Sequence, residues 1–511
     1  MIMRKPKIVI VGAGINGLVA ANYLQKAGCQ VIQIERAEKV GGACISAQAD
    51  MGDTHQPYAL GASVLGLMQK FVFEQTGLSE KLSTFVPEHP KLIFFPGDKK
   101  PTWIYRDPEQ LDAELAQKWG EKGRVKAFRQ DEAKVVEFLI AGYNKAQPPD
   151  LEAARTALGE ELTKLWISGS ARALLDHYFT SERSKIYMAM TVTESGPVSL
   201  DAPYSAFTLP LMDSGTIFGG YYGFVKGGIW RITEELGRLN EDSGVKTYLN
   251  ASVLDVDSSV GEVKFEQDGE TKSVSFDHLV FATDPVTAAR LMGDTDMIAV
   301  SQTKRYRGSS GKLNLMFRNP VRWKQGSERP DSDAAFRFIF SIDTLDSFEA
   351  ATTSVSTEEL HYDPGFMQIY CEGAAMRQLG HHEPYDRLAV FFKNLGLTES
   401  GESLSKVEQQ VKAKVLEYVD NPEDCVWTRL LTPRDLQNLF LFPGGNLDHT
   451  MLTGGQTFFD RTFSNQPEKN FYQFGSMENI HICGSATYPC GSVTGTAGYM
   501  CSQTLLKILA A

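Results

Sequence analysis

Residues 7–42 read KIVIVGAGINGLVAANYLQKAGCQVIQIERAEKVGG, and this stretch decides the fold class. Ile8 to Val11 form an apolar run of the kind expected for a buried parallel strand. Gly12, Gly14 and Gly17 then give G-x-G-x-x-G where a helix should begin, with Ile15 and Asn16 on its first turn. A second β run, Val31 to Ile34, ends at Glu35. Each part has a mechanical task in a dinucleotide-binding unit. Gly12 permits a tight turn, Gly14 lets the backbone approach a pyrophosphate, and Gly17 lets the helix pack on the strand. The helix N-terminus offers free N–H groups and partial positive charge to phosphates. Glu35 can accept hydrogen bonds from a ribose diol. A glycine motif alone is weak; strand, loop, helix, strand and terminal acid in register are specific. Arg36, Gly41, Gly42 and Ala43 extend the motif beyond the usual nicotinamide-binding form.

The 511 residues are too many for one simple core and imply at least two domains. A net charge of −12, with no basic run of five, argues against a nucleic-acid partner. The seven cysteines are scattered and contain no C-x-x-C, so neither a metal site nor a dithiol centre is expected, and reduced thiols point to the cytoplasm. Arg4, Lys5 and Lys7 before an apolar run mimic a secretory signal, but that run is the first strand of the nucleotide unit. No apolar stretch reaches the 18 residues of a membrane span. Phe71–Phe73, Leu92–Phe95 and Leu439–Phe442 are short apolar runs that read as buried strands or helices. They leave peripheral membrane contact open.

The chain leaves the nucleotide fold and returns to it. Residues 50–65 lack clear periodicity. Residues 105–200 read as mainly helical, with Val135, Val136, Phe138, Leu139 and Ile140 giving one strongly apolar face. Residues 226–290 return to an α/β pattern, with a helix from about 230 to 239 and strands at 245–249, 253–256 and 279–282. Residues 318–360 read as irregular at both ends, around a strand near 336–342. Ser405 and Glu408 fit a capping box ahead of Val407, Val411 and Val415. A second G-x-G-x-x-G is absent, so a domain-bound nicotinamide is not expected to reoxidise the cofactor.

Near the end, NIHICGSATYPCGSVTGTAGYMC from Asn479 places a short strand and a glycine-rich turn before a final helix. Together with the opening motif, with YGFVKGGIWRITEEL (222–236) and with FPGGNLDHTML (442–452), it resembles the phytoene desaturase-like FAD-dependent oxidoreductases. Within them it is most similar to the branch of pyridine nucleotide-disulphide oxidoreductase domain-containing protein 2. The resemblance spans nearly the whole chain. It implies a Rossmann-type FAD domain of the amine oxidase and phytoene desaturase kind, made from residues 1–75, 222–290 and 470–511. An α+β substrate domain (76–221 and 291–469), with a helical subdomain near 105–200, would be inserted in it. Residue by residue, Gly12, Gly14, Gly17, Glu35, Arg36, Gly41 and Gly42 would hold the ADP half, and Val253 would meet the adenine. Ala62 and Ser63 would lie along the isoalloxazine, with Ala282 on the strand returning to it. Gly484, Ser485, Val493 and Thr494 would hold the pyrophosphate side and the pyrimidine edge.

The implied activity is removal of hydride from a lipophilic, unsaturated or isoprenoid-like substrate to flavin N5, with oxygen or a quinone as acceptor. His449, in GGNLDH, is the candidate for handling a proton or orienting the substrate. Tyr221, Tyr222, Phe224, Phe458 and Phe459 are candidates for an apolar lining. The competing readings are a flavin amine oxidase, a flavin-dependent double-bond isomerase or saturase, and a non-enzymatic prenyl- or lipid-binding escort. Oligomeric state is not legible in the sequence.

Overall fold

A computed structural model describes residues 5–52, 54–194, 196–304, 306–355, 365–396 and 401–510. Arg4 lies outside them. The Lys7–Val11 strand is the centre of a five-stranded parallel sheet. The order is Ile480–Ile482, His278–Phe281, Lys7–Val11, Gln30–Ile34, Lys246–Tyr248. Two strands come from the first 35 residues and three from distant parts of the chain. Alternate residues of the central strand enter different cores. Ile8 and Ile10 pack with the helix Ile15–Lys26, the helix Arg231–Asp242 and the C-terminal helix Thr496–Ala510. Val9 and Val11 pack under the three-stranded antiparallel sheet of Ala251–Asp257, Glu262–Gln267 and Glu270–Ser275. Burial on both faces is what a continuous Ile/Val run requires.

A second, seven-stranded sheet has the order Cys425–Leu431, Gly311–Phe317, Asp386–Phe392, Phe366–Tyr370, Phe336–Phe340, Lys91–Phe94, Thr102–Ile104. Its pairings are antiparallel except that of the Phe336 and Lys91 strands. Helices between Pro108 and Met212 share a core with this sheet through Leu111, Phe128, Trp166 and Leu174. The longest, Val125–Asn144, buries Val125, Phe128, Val135, Leu139 and Tyr143. Val136, Phe138 and Ile140 are only half-buried, so the apolar stripe is narrower than the sequence suggests.

Four local expectations need correction. Residues 46–59 form a hairpin, Ser46–Asp50 against His55–Ala59. Its strands are polar and half exposed, so backbone pairing rather than apolar alternation defines them. The residue 345–354 segment is a helix capped by Thr344, where irregular chain was expected. The helix near residue 405 already runs from Gly401 to Leu416, so Ser405 is interior. Glu408 instead accepts a hydrogen bond from the Thr428 hydroxyl. Finally, Leu439 and Leu441 are 42% and 45% exposed. The helix Pro433–Phe440 begins in a true capping box at Thr432 and buries Leu436, while its end projects past the core. The runs at Phe71–Phe73 and Leu92–Phe95 do turn inward.

Candidate flavin site and substrate cavity

A cavity of about 500 Å³ runs between the two sheets. At one end it is walled by the loop after the first strand. Gly12 has a φ of +101°, which a side chain would strain. At Gly17 a Cβ would stand 2.4 Å from the Gly12 carbonyl oxygen and 2.9 Å from the Ala282 Cβ, so only glycine lets the helix seat on the strand. Gly14 is different: only the Gly42 Cα, 3.9 Å away, would be near a Cβ there, and the rest of that space is cavity.

Glu35 is held as a rigid acceptor. Its Oε2 accepts the Ala13 N–H at 2.7 Å and its Oε1 accepts the Ala37 N–H at 2.9 Å. Each oxygen keeps a lone pair for a further donor. Arg36 donates to the Leu439 carbonyl at 2.8 Å, joining this end to the exposed rim. Ile15, Asn16, Gly41, Gly42, Ala43, Ala62, Ser63, Val253, Ala282, Ser485, Val493 and His449 also line the cavity. Gly17, Gly484 and Thr494 stand behind the wall. Gly484 packs so closely on Thr283 that a Cβ would meet its carbonyl oxygen at 2.0 Å.

Among the described residues, three buried polar atoms in this lining have no hydrogen-bond partner: Asn16 Oδ1, Ser63 Oγ and His449 Nδ1. Such atoms cost about 1–3 kcal/mol each when left unmet. A groove with a glycine cradle at one end, a fixed carboxylate acceptor and unmet polar groups along its length fits a bound dinucleotide.

The chain matches a family model described as flavin containing amine oxidoreductase, over residues 15–365. The chain belongs to that family. It is an FAD-dependent oxidoreductase, with FAD as its cofactor. It is 21% identical to pyridine nucleotide-disulfide oxidoreductase domain-containing protein 2 of Rattus norvegicus, covering 98% of this chain and 93% of that protein. It is 26% identical to hydroxyneurosporene desaturase of Cereibacter sphaeroides, over 58% of this chain and 60% of that one. Among solved structures, putrescine oxidase bound to putrescine superposes with a TM-score of 0.58 at 15% identity, covering 99% of this chain and 100% of that one.

Two residues that sequence reasoning did not single out hold the cavity wall of this flavoprotein in place. Lys312 is 4% exposed, and its ammonium donates to the carbonyls of Ala59 (2.6 Å), Leu60 (3.2 Å) and Gly61 (3.0 Å). It therefore ties down the chain immediately before Ala62 and Ser63. Burial pulls its pKa down to about 8, against the partial support of Glu372. The one signal available was a lysine near the start of a mostly apolar strand, GKLNLMF.

Arg461 is the second omission. Fully buried, it donates to Asp448 O (2.8 Å), Thr450 Oγ1 (2.9 Å), Ser485 O (2.6 Å), Thr487 O (3.3 Å) and Gln456 O (3.1 Å). It thus brackets His449 on both sides and clamps that turn to the Ser485 segment. His449 sits at a φ of +61°, a left-handed conformation that such a clamp can hold. Burial pulls the His449 pKa down to about 4 despite nearby Asp284, and Arg461 adds to the depression. Its imidazole is neutral at physiological pH.

Of the five candidate aromatics, only Tyr222 lines the cavity. Phe224 and Phe458 are core residues, and Tyr221 lies beneath Arg106 at 4.0 Å. The apolar lining comes instead from the seven-stranded sheet: Phe336, Phe338, Tyr370 and Phe391. Glu194 faces the same space. Its Oε1 accepts from Gln368 Nε2 at 2.7 Å, and the Tyr370 hydroxyl donates to Gln368 Oε1 at 2.7 Å.

Proposed function

We propose that this protein dehydrogenates a lipophilic, unsaturated substrate, with oxygen or a quinone as final acceptor. The observation that carries the reading is one continuous cavity with a flavin-type wall at one end and an aromatic sheet face at the other. Bound FAD would supply the hydride acceptor. Gly14, Glu35 and the Gly41–Gly42 turn would hold it, and Lys312 would fix the Ala62–Ser63 segment beside it. The aromatic face would exclude water and hold an apolar carbon chain, since its buried rings offer that chain area without polar groups. His449, neutral and fixed by its neighbours, would orient the substrate through hydrogen bonding; a pKa near 4 makes it a weak base. Leu439 and Leu441 at the rim would ease the approach of a lipophilic molecule, including one presented at a membrane surface. Among the described residues no helix is long and apolar enough to cross a membrane.

Amine oxidation is the second reading, favoured by the Glu194 carboxylate inside the cavity and by the likeness to putrescine oxidase. Anaerobic spectra of the FAD-loaded protein decide between them. Bleaching of the flavin band by long-chain polyenes, and not by mono- or diamines, is the expected result. The reverse pattern would establish the amine reading.

A further inference from the structure

The cavity face of the seven-stranded sheet is a ruled platform. Lys312 pairs with Phe391, Phe391 with Gln368, Gln368 with Phe338, and Phe338 with Ile93, each on the next strand. Lys91, two residues before Ile93 and paired with Phe336, ends the row. Four strand spacings of about 4.8 Å place Lys91 about 20 Å from Lys312. One lysine therefore stands beside the Ala62–Ser63 segment and the other at the opposite end, with phenylalanines between.

The two lysines differ in their partners. Lys312 spends its donors on three carbonyls. Lys91 lines the cavity half-buried, and among the described residues no carboxylate lies within ion-pair distance of it. Its ammonium stands 5.6 Å from the centre of the Tyr221 ring, which also carries Arg106. The nearby acids, Glu132 and Asp213, share Arg129; burial pushes the Glu132 carboxyl up to about 7, with Arg129 and, more weakly, Lys91 opposing the rise. A half-buried cation at the end of an apolar trough favours an anion that brings its own apolar chain. Among the described residues Lys91 is the cation that lines this end of the cavity, whereas Arg106 and Arg129 do not; a single ammonium suits one carboxylate, and a phosphate dianion would need more.

We propose that Lys91 is the head-group subsite of the cavity and that the substrate is a long-chain carboxylate, its chain running along Phe336, Phe338 and Phe391 toward Lys312. This rests on the lipophilic reading above. The test titrates the FAD-loaded protein with cis-parinaric acid and, separately, its methyl ester, following polyene fluorescence. The acid is expected to bind at least tenfold more tightly than the ester. Lys91→Met should erase that preference and Lys91→Arg should keep it, both with an unchanged flavin-to-protein ratio. Equal affinity of acid and ester for the wild type would overturn the subsite and leave the lipophilic reading standing. So would an acid preference that survives Lys91→Met. Should Lys91→Met not fold, the wild-type comparison and Lys91→Arg decide. Binding of neither ligand would overturn both.

Discussion

The flavin end of the cavity takes its glycine cradle and fixed carboxylate from residues 11–45, whereas the far end is drawn from residues 91, 190–194, 212–222, 336–338, 368–370 and 391, with Lys312 at the junction. That cradle is one strand, turn, helix and second strand, built by contacts close in sequence. The far end exists only because several strands pair in one register, and a shift of one residue would turn Lys312, Phe391, Gln368 and Phe338 away from the cavity. The difference predicts different failures. Damage at the first end should remove the cofactor, and damage at the second should leave a yellow protein with altered chemistry.

The largest effect is expected from Gly17→Val, which forces a side chain against the Gly12 carbonyl and the Ala282 Cβ. Overpacking of this kind costs about 1–3 kcal/mol or more. Purified protein should carry little flavin and melt several degrees lower; a full complement of FAD would contradict the close-packing role.

Lys312→Met comes next and probes the junction of the two ends. It strips three carbonyls of their donor, at about 1 kcal/mol or more in all. Flavin reduction should slow at least tenfold while FAD is retained. A pH experiment sharpens this. The folded pKa near 8 lies below the ordinary 10.5, so the unfolded chain holds the extra proton between those values. The cost of burying the ammonium is then full below pH 8 and lifts as pH rises toward 10.5. Thermal melts should show wild-type stability gaining on Lys312→Met across that window; parallel curves would mean the ammonium is not buried.

Glu35→Ala should be milder, because the loop keeps its glycines. Losing an acceptor of two backbone N–H groups, and the ribose contact proposed for it, should weaken FAD binding about tenfold, measured as flavin retained after dialysis. The smallest change is expected from His449→Ala: FAD content unaltered and anaerobic reduction a few-fold slower. Because its imidazole is neutral above about pH 4, the wild-type rate should show no inflection between pH 6 and 8 that the variant lacks. Such an inflection would assign His449 a proton-transfer role instead.

Much of the flavin end was legible because its signals are local. Positive-φ and close-contact glycines must be glycine wherever the chain goes, and Glu35 follows at the end of the second strand. The C-terminal return was legible through its own glycine-rich turn. The hairpin at 46–59 was not, since polar half-exposed strands carry no period. Lys312 and Lys91 were not, since a lysine beside apolar residues looks the same on a solvated edge as in a cavity. Arg461 was hidden for a related reason: all five of its partners are carbonyls or a hydroxyl, which leave no mark in side-chain type.

The sequence by itself determined the βαβ unit, its dinucleotide ligand and the family, because turn geometry and phosphate approach are set by residues a few positions apart. Only the tertiary structure decided which aromatics face the cavity, where the two lysines stand and what holds His449. Those depend on strand register and on buried hydrogen bonds between segments separated by up to some 250 residues, such as Lys312 and Ala59.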